Sequence, residues 1–183
     1  MKKLKVQKLK KGDTIGIIIA SSCNRVDRFK ELEDYISNLG FKILYGKTVY
    51  LKSGYLAGSD EERIQDIHDM FLNPEVKAIL CLKGGFGASR IIDKIDYNLI
   101  KNNPKLLIGF SDVTVLLNNF YKYANLPTVH GLVGNFLASK YCDDFSKQDF
   151  KDLLFENTKG RILKGNDHTK TLVEGITEAE LVG

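Results

Sequence analysis

The sequence predicts an α/β fold in which a parallel sheet is flanked by helices on both faces. Short apolar runs of strand length alternate with amphipathic stretches of helical period. The runs at 14–20, 76–82 and 106–110 are almost continuously apolar, which is typical of strands covered on both faces. Glycine and serine follow these runs, so we expect polar loops at the carboxyl ends of the strands, where ligands bind in open α/β sheets.

The first unit is a strand, a helix and a second strand. Residues 14–20 predict the first strand, and a polar loop at 21–25 follows it. Apolar residues then recur at helical spacing and stop at a glycine that suits a helix end: Phe29, Leu32, Ile36, Leu39 and Gly40. Residues 41–45 are the second predicted strand.

The next unit begins at residues 59–62, whose Ser-Asp-Glu-Glu sequence has the capping-box form of a helix start. This helix is expected to end near Pro74, and residues 76–82 predict the third strand. The strand runs into a glycine loop at 84–87. Isoleucines after the loop predict a further helix: Ile91, Ile92 and Ile95.

The most informative local pattern lies at 106–117, where a strand-like run ends at Gly109-Phe110-Ser111-Asp112 and changes directly into a helical pattern. A sharp elbow of this kind can hold the Ser111 hydroxyl at a helix N-terminus, where free N–H groups stabilise a developing oxyanion. Serine and aspartate are also ordinary helix caps, and on spacing alone a cap is the commoner use. Beyond this helix, residues 128–130 predict a last short strand.

Size and composition are those of a globular protein of about one domain. The chain has 183 residues, of which 43% are hydrophobic and 27% charged, and its formal net charge is +4. The lysine-rich start is interpreted as a solvated arm, so we expect neither a nucleic-acid nor a membrane partner. No apolar run could span a bilayer and no signal peptide begins the chain, which predicts a cytoplasmic protein.

Three segments are expected along the chain. Residues 1–156 form the amino-terminal α/β domain that bears the elbow, and residues 157–170 read as a polar linker. Residues 171–183 are interpreted as the truncated start of a second, carboxyl-terminal domain. Apolar surface left uncovered by that domain favours self-association, as a homodimer.

Cysteines and histidines show no disulfide or metal pattern. The three cysteines are far apart and lack CxxC spacing: Cys23, Cys81 and Cys142. The histidines at 68, 130 and 168 lack metal-ligand spacing. His130 could serve as a base for Ser111, but a lone histidine at a strand end is more often structural.

The loop Gly84–Gly87 admits a second interpretation, a nucleotide-binding module. Its backbone N–H groups could face a phosphate, and Asp112 lies at about the distance expected of a ribose-binding acid. In that case Ser111 only caps a helix. The dinucleotide pattern is incomplete, because Arg90 stands at the third glycine position and the loop follows a third strand.

Taken in order, several segments resemble the LD-carboxypeptidase family of serine peptidases, which also contains the microcin C self-immunity hydrolases. The matching segments run through most of the chain: Lys11-Gly12-Asp13, Ser53 to Asp60 with Arg63, Lys83 to Gly87 with Arg90, Pro104 to Thr114, and His130-Gly131. The chain departs from the common family pattern at Ser21, Lys83, Phe86 and Leu132.

The resemblance implies a serine hydrolase with a Ser-His-Glu triad and no metal or organic cofactor. Ser111 would be the nucleophile, and the backbone N–H groups of Gly85 and Asp112 would form the oxyanion hole. The implied reaction releases terminal D-alanine from a murein tetrapeptide, at an L-to-D amide bond, during cell-wall recycling. An immunity hydrolase that acts on an aminoacyl-nucleotide is the alternative within this chemistry.

The catalytic glutamate and histidine of the family lie beyond the segment that resembles residues 175–183. A serine hydroxyl without its base is a poor nucleophile at neutral pH. The 183-residue chain by itself is therefore expected to hydrolyse murein peptides barely or not at all.

Overall fold

The computed structural model describes residues 4–155, 165 and 167–178. Its strands are β1 (Thr14–Ile18), β2 (Lys42–Tyr45), β3 (Val76–Cys81), β4 (Leu106–Gly109) and β5 (Val129–His130). Its α-helices are α1 (Phe29–Asn38), α2 (Asp60–Leu72), α3 (Tyr97–Asn102), α4 (Thr114–Ala124), α5 (Gly134–Leu137) and α6 (Asp144–Phe155). The strands form one parallel sheet in the order β2-β1-β3-β4-β5.

Helices cover both faces of this sheet, so the predicted fold class is confirmed. One buried cluster packs side chains of α2 and α4 against Ile79 and Cys81 of β3. A second cluster packs α1 and α6 against Ala78 and Leu80 of the same strand. Side chains of a strand alternate between faces, so burial on both sides requires the continuous apolar runs seen in the sequence.

Local signals placed the end of α1 and the start of α2 correctly. Helix α1 ends just before Gly40, whose φ of +90° lies in the left-handed region that favours glycine. Helix α2 begins at a capping box, in which the Ser59 hydroxyl accepts from Glu62 N–H and the Glu62 carboxylate accepts from Ser59 N–H. These bonds satisfy donors that have no partner within the helix.

The helix predicted over Ile91, Ile92 and Ile95 is wrong. The chain instead forms two 3-10 turns, at Ala88–Arg90 and Ile92–Lys94, and α3 begins afterwards. Asp96 decides where α3 starts, because its carboxylate accepts hydrogen bonds from Asn98 and Leu99 N–H. Helices α5 and α6 were also not indicated by the sequence patterns.

The proposed linker at 157–170 and domain start at 171–183 lie partly outside the described residues and stay predictions. Within 167–178, the side chains of Leu172, Val173 and Ile176 are exposed. The three cysteines are buried and unpaired. Among the residues described, no helix has the length and apolar character needed to cross a membrane.

The strand order brings the carboxyl ends of three strands together. Strand β1 lies between β2 and β3, and β4 follows β3. The segments that leave β1, β3 and β4 therefore meet at one edge of the sheet, beside the point where the strand order reverses. This edge holds both the glycine loop and Ser111.

Candidate active site

The strand-to-helix turn after β4 holds Ser111 in a strained conformation. Phe110 is extended, with φ −154°, and Ser111 then has φ +64°. Left-handed backbone costs a non-glycine residue about 1–2 kcal/mol. Among the described residues only Asn125 shares this feature, and it ends α4 as asparagine often does.

The Ser111 hydroxyl is not used as a helix cap. The N-cap positions of the 3-10 turn Ser111–Val113 and of the helix α4 that continues it are held by Phe110 and Val113, so Ser111 occupies neither. Ser111 is exposed, and its hydroxyl makes no hydrogen bond to any residue within the described ranges. Of the two uses left open by the sequence, the helix cap is therefore not the one seen in the structure.

The loop Gly84–Gly87 lies directly against the serine. A Cβ atom at Gly84 would lie 3.1 Å from the Ser111 Cβ and 3.3 Å from its Oγ, so a larger residue would crowd the serine. Gly85 has φ +131°, and a Cβ there would collide with the Ser22 hydroxyl. The loop can therefore bring its backbone close to a group bound at Ser111.

The two predicted oxyanion donors border this position. Gly85 N–H and Asp112 N–H donate to no acceptor in the part of the chain that the structure describes. The Asp112 donor belongs to the first turn after the elbow, where N–H groups have no partner within the helix. Their assignment as an oxyanion hole stays a prediction.

The Asp112 carboxylate is occupied by protein groups. Its Oδ2 accepts from the Ser21 hydroxyl at 2.8 Å and from Ala88 N–H at 2.9 Å. Ser21 is fully buried and follows β1, whereas Ala88 follows the glycine loop. This engagement disfavours the nucleotide-binding interpretation, in which Asp112 would hold a ribose.

Ser22 also holds the glycine loop. Its Oγ accepts from Phe86 N–H at 3.0 Å and lies 3.4 Å from the Phe86 carbonyl oxygen. Phe86 is exposed, and its ring packs against that of Tyr55 with 6.0 Å between centroids. This aromatic pair leaves an apolar rim beside the loop.

Arg63 is completely buried behind the loop, although it lies in the first turns of the polar helix α2. Its Nη1 donates to the Ala20 carbonyl at 2.7 Å and to the Gly87 carbonyl at 2.8 Å, and its Nη2 pairs with Asp60. Burial lowers the pKa of the guanidinium, and the Asp60 carboxylate opposes that effect. The buried charge is thus paired and hydrogen-bonded.

Local sequence patterns carry no direct signal for the roles of Ser21, Ser22 and Arg63. The two serines follow a buried strand, so the strand-end rule could have flagged them. Arg63 sits in a run of charged residues that looks like a solvated helix face. Only its contact with the loop, 24 residues along the chain, distinguishes it.

No base contacts the serine within the described residues. His130 ends β5 opposite Gly109, and its ring lies 6.4 Å from that of Phe110, but no hydrogen bond joins it to Ser111. His68 accepts from Asp96 N–H at 3.1 Å, which is a structural role. No group of three potential metal ligands occurs in the ranges described.

The chain is similar in sequence to known proteins over most of its length. The sequence model for the LD-carboxypeptidase N-terminal domain matches residues 15–131. The chain is 36% identical over 180 residues to the protein named "Probable murein peptide carboxypeptidase" of Bacillus subtilis, an alignment that covers 98% of this chain and 56% of that protein. It is 35% identical to the murein tetrapeptide carboxypeptidase of Pseudomonas aeruginosa over 124 residues, which cover 67% of this chain and 40% of that one.

Solved structures show a similar fold. The apo structure of the Microcin C7 self-immunity protein MccF superposes with a TM-score of 0.79 and 29% identity, covering 84% of this chain and 48% of that one. The chain thus spans about half the length of the relatives it matches.

Proposed function

Because the chain belongs to the LD-carboxypeptidase family, we propose that its protein is a serine carboxypeptidase that releases terminal D-alanine from murein tetrapeptides. One observation carries this proposal. Ser111 is exposed at a left-handed elbow, with its hydroxyl uncommitted to any described residue and a glycine loop against it. Backbone strain at a reactive residue is typical of functional sites.

The proposed reaction proceeds through an acyl-enzyme. Ser111 Oγ attacks the carbonyl carbon of the L-to-D amide, the C–N bond breaks, and D-alanine leaves with a proton on its amine. Water then attacks the ester, which frees the shortened peptide and returns the proton to Ser111. The N–H groups of Gly85 and Asp112 stabilise the negative oxygen that forms in each step.

The proposal needs a general base from outside the described residues. The resemblance assigns this role to a histidine and a glutamate of the second domain. We propose that the protein works in cell-wall recycling in the cytoplasm, and that the apolar residues exposed within 167–178 are covered by that domain or by a second copy.

The test is D-alanine release from a murein tetrapeptide by the protein at its full natural length. Replacing Ser111 by Ala should lower kcat by about 10³-fold or more, since loss of the nucleophile leaves only oxyanion and binding contributions. The 183-residue chain alone should release D-alanine barely or not at all. Full activity of Ser111→Ala, or rapid release by the isolated chain, would contradict the proposal.

A second substrate in the same assay tests the alternative function. An immunity hydrolase would cleave the carboxamide of an aminoacyl-nucleotide and leave the tetrapeptide intact. The similarity to MccF makes this comparison necessary. Preference for the nucleotide substrate would retain Ser111 as nucleophile and replace the murein assignment.

A further inference from the structure

One side chain joins the elbow to the loops of two other strands. The Asp112 Oδ2 accepts from Ala88 N–H, directly after the glycine loop, and from the Ser21 hydroxyl, after β1. The same residue supplies one of the two proposed oxyanion donors through its own backbone. Its carboxylate therefore links that donor to the loop that carries the other donor, Gly85.

We propose that the Asp112 carboxylate is a positioning residue that sets the separation between the two backbone donors of the oxyanion hole. This inference rests on the proposed function. The Asp112 N–H is placed by the elbow itself. Gly85 and Gly87 of the loop have φ values of +131° and +119°. Because glycine backbone is flexible, side chains outside the loop must fix the position of Gly85.

Three side chains hold this loop, and they do different work. Ser22 binds Phe86 N–H from the end of β1, and Arg63 binds the Gly87 carbonyl from α2. Of these three, Asp112 alone comes from the elbow. Without the Asp112 carboxylate, we expect the loop to stay anchored to the end of β1 and to α2 but to shift relative to Ser111. Misplacement of a donor, and not unfolding, is the expected consequence.

The hydrogen-bond acceptor matters here, and the negative charge does not help. A carboxylate near a developing oxyanion opposes it electrostatically. An asparagine at 112 can offer one carbonyl oxygen to both Ala88 N–H and the Ser21 hydroxyl, whereas alanine offers none. The two substitutions should therefore differ, although both remove the charge.

The experiment measures kcat and KM for D-alanine release in the protein at its full natural length. Asp112→Ala should lower kcat by about 10²-fold with KM unchanged, the loss expected when a donor shifts by about 1 Å. Asp112→Asn should retain kcat within about threefold, because the hydrogen bonds to Ala88 N–H and the Ser21 hydroxyl are kept. Ser21→Ala, which removes one of the two bonds, should give an intermediate loss and serves as the second variant if Asp112→Ala does not fold.

Asp96→Ala is the matched control. Asp96 also accepts two backbone N–H bonds, at the start of α3, away from the elbow. Its loss should lower the free energy of unfolding and leave kcat per folded molecule unchanged. A structural effect alone would make Asp112→Ala behave in the same way.

A peptidyl boronic acid gives an independent measurement, since its tetrahedral adduct with serine needs the oxyanion donors. Its affinity should fall in Asp112→Ala by the same factor as kcat/KM. Parental kcat in Asp112→Ala, or equal losses in Asp112→Ala and Asp112→Asn, would overturn this inference while an inactive Ser111→Ala leaves the proposed function standing. An active Ser111→Ala would overturn the proposed function itself.

Discussion

Ser59 and Ser111 both stand where a helix begins, yet they serve opposite purposes. Ser59 has extended backbone, with φ −67° and ψ 170°, and its hydroxyl accepts from Glu62 N–H at 3.1 Å. Ser111 has φ +64°, and its hydroxyl bonds to no described residue. One region uses its serine for stability, whereas the other accepts strain and leaves the hydroxyl free.

The surroundings of the two serines explain the difference. Ser59 is followed by Asp60, Glu61 and Glu62, which favour a helix start through the dipole and the capping box. Ser111 follows a buried strand end and faces a glycine loop whose Gly84 lies directly against it. Whether a serine at a helix start acts as a cap thus depends on its φ and its neighbours.

The largest expected effect comes from Arg63, which connects the two regions. Replacing it by Met leaves the Ala20 carbonyl without this donor and the Gly87 carbonyl with only the Arg90 N–H, so we expect the free energy of unfolding to fall by about 1–3 kcal/mol. Arg90→Met is the control, because Arg90 pairs with the same Asp60 from an exposed position and should cost at most about 1 kcal/mol. Urea unfolding measures the free energy of unfolding of both variants. Equal decreases would show that the buried contacts of Arg63 add no stability beyond those of an exposed ion pair.

Smaller changes in the free energy of unfolding are expected at the two serines, and they have opposite signs. Ser111→Gly relieves left-handed strain of about 1–2 kcal/mol and adds unfolded-state entropy of about 0.4–1 kcal/mol, so the free energy of unfolding should rise by about 1 kcal/mol while activity is lost. Ser59→Ala removes the N-cap hydrogen bond, so the free energy of unfolding should fall by about 1 kcal/mol while activity is kept. Thermal and urea unfolding measure both changes. A Ser111→Gly protein less stable than the parent would remove the contrast between the regions.

The smallest expected effect is a pH dependence confined to the start of α2. The Arg90 hydrogen bond, together with the nearby cations, holds the pKa of Asp60 below its ordinary 3.8. The unfolded chain therefore binds a proton at higher pH than the folded one. The stabilising contribution is complete above the unfolded value and is lost as pH falls through the folded pKa. Asp60→Asn should flatten the dependence of unfolding on pH below about 4, and an unchanged slope would contradict the assignment.

Much of the fold follows from the sequence by itself. Continuous apolar runs require cover on both faces, and residues such as Gly40 and Ser59 mark helix ends through bonds to near neighbours. The elbow at Ser111 is also visible locally, because the strand and helix patterns meet there without a spacer. All of these signals act within a few residues.

Only the tertiary structure decided the conformation of the elbow serine and how its surroundings are held. Asp112 meets Ser21 across 91 residues, Ser22 meets Phe86 across 64, and Arg63 meets Ala20 across 43. The break in the predicted helix around Ile91 has a similar origin, because the glycine loop and Asp96 set the path of the chain there. Periodicity and caps report on local backbone, whereas these contacts exist only once the carboxyl ends of three parallel strands come together.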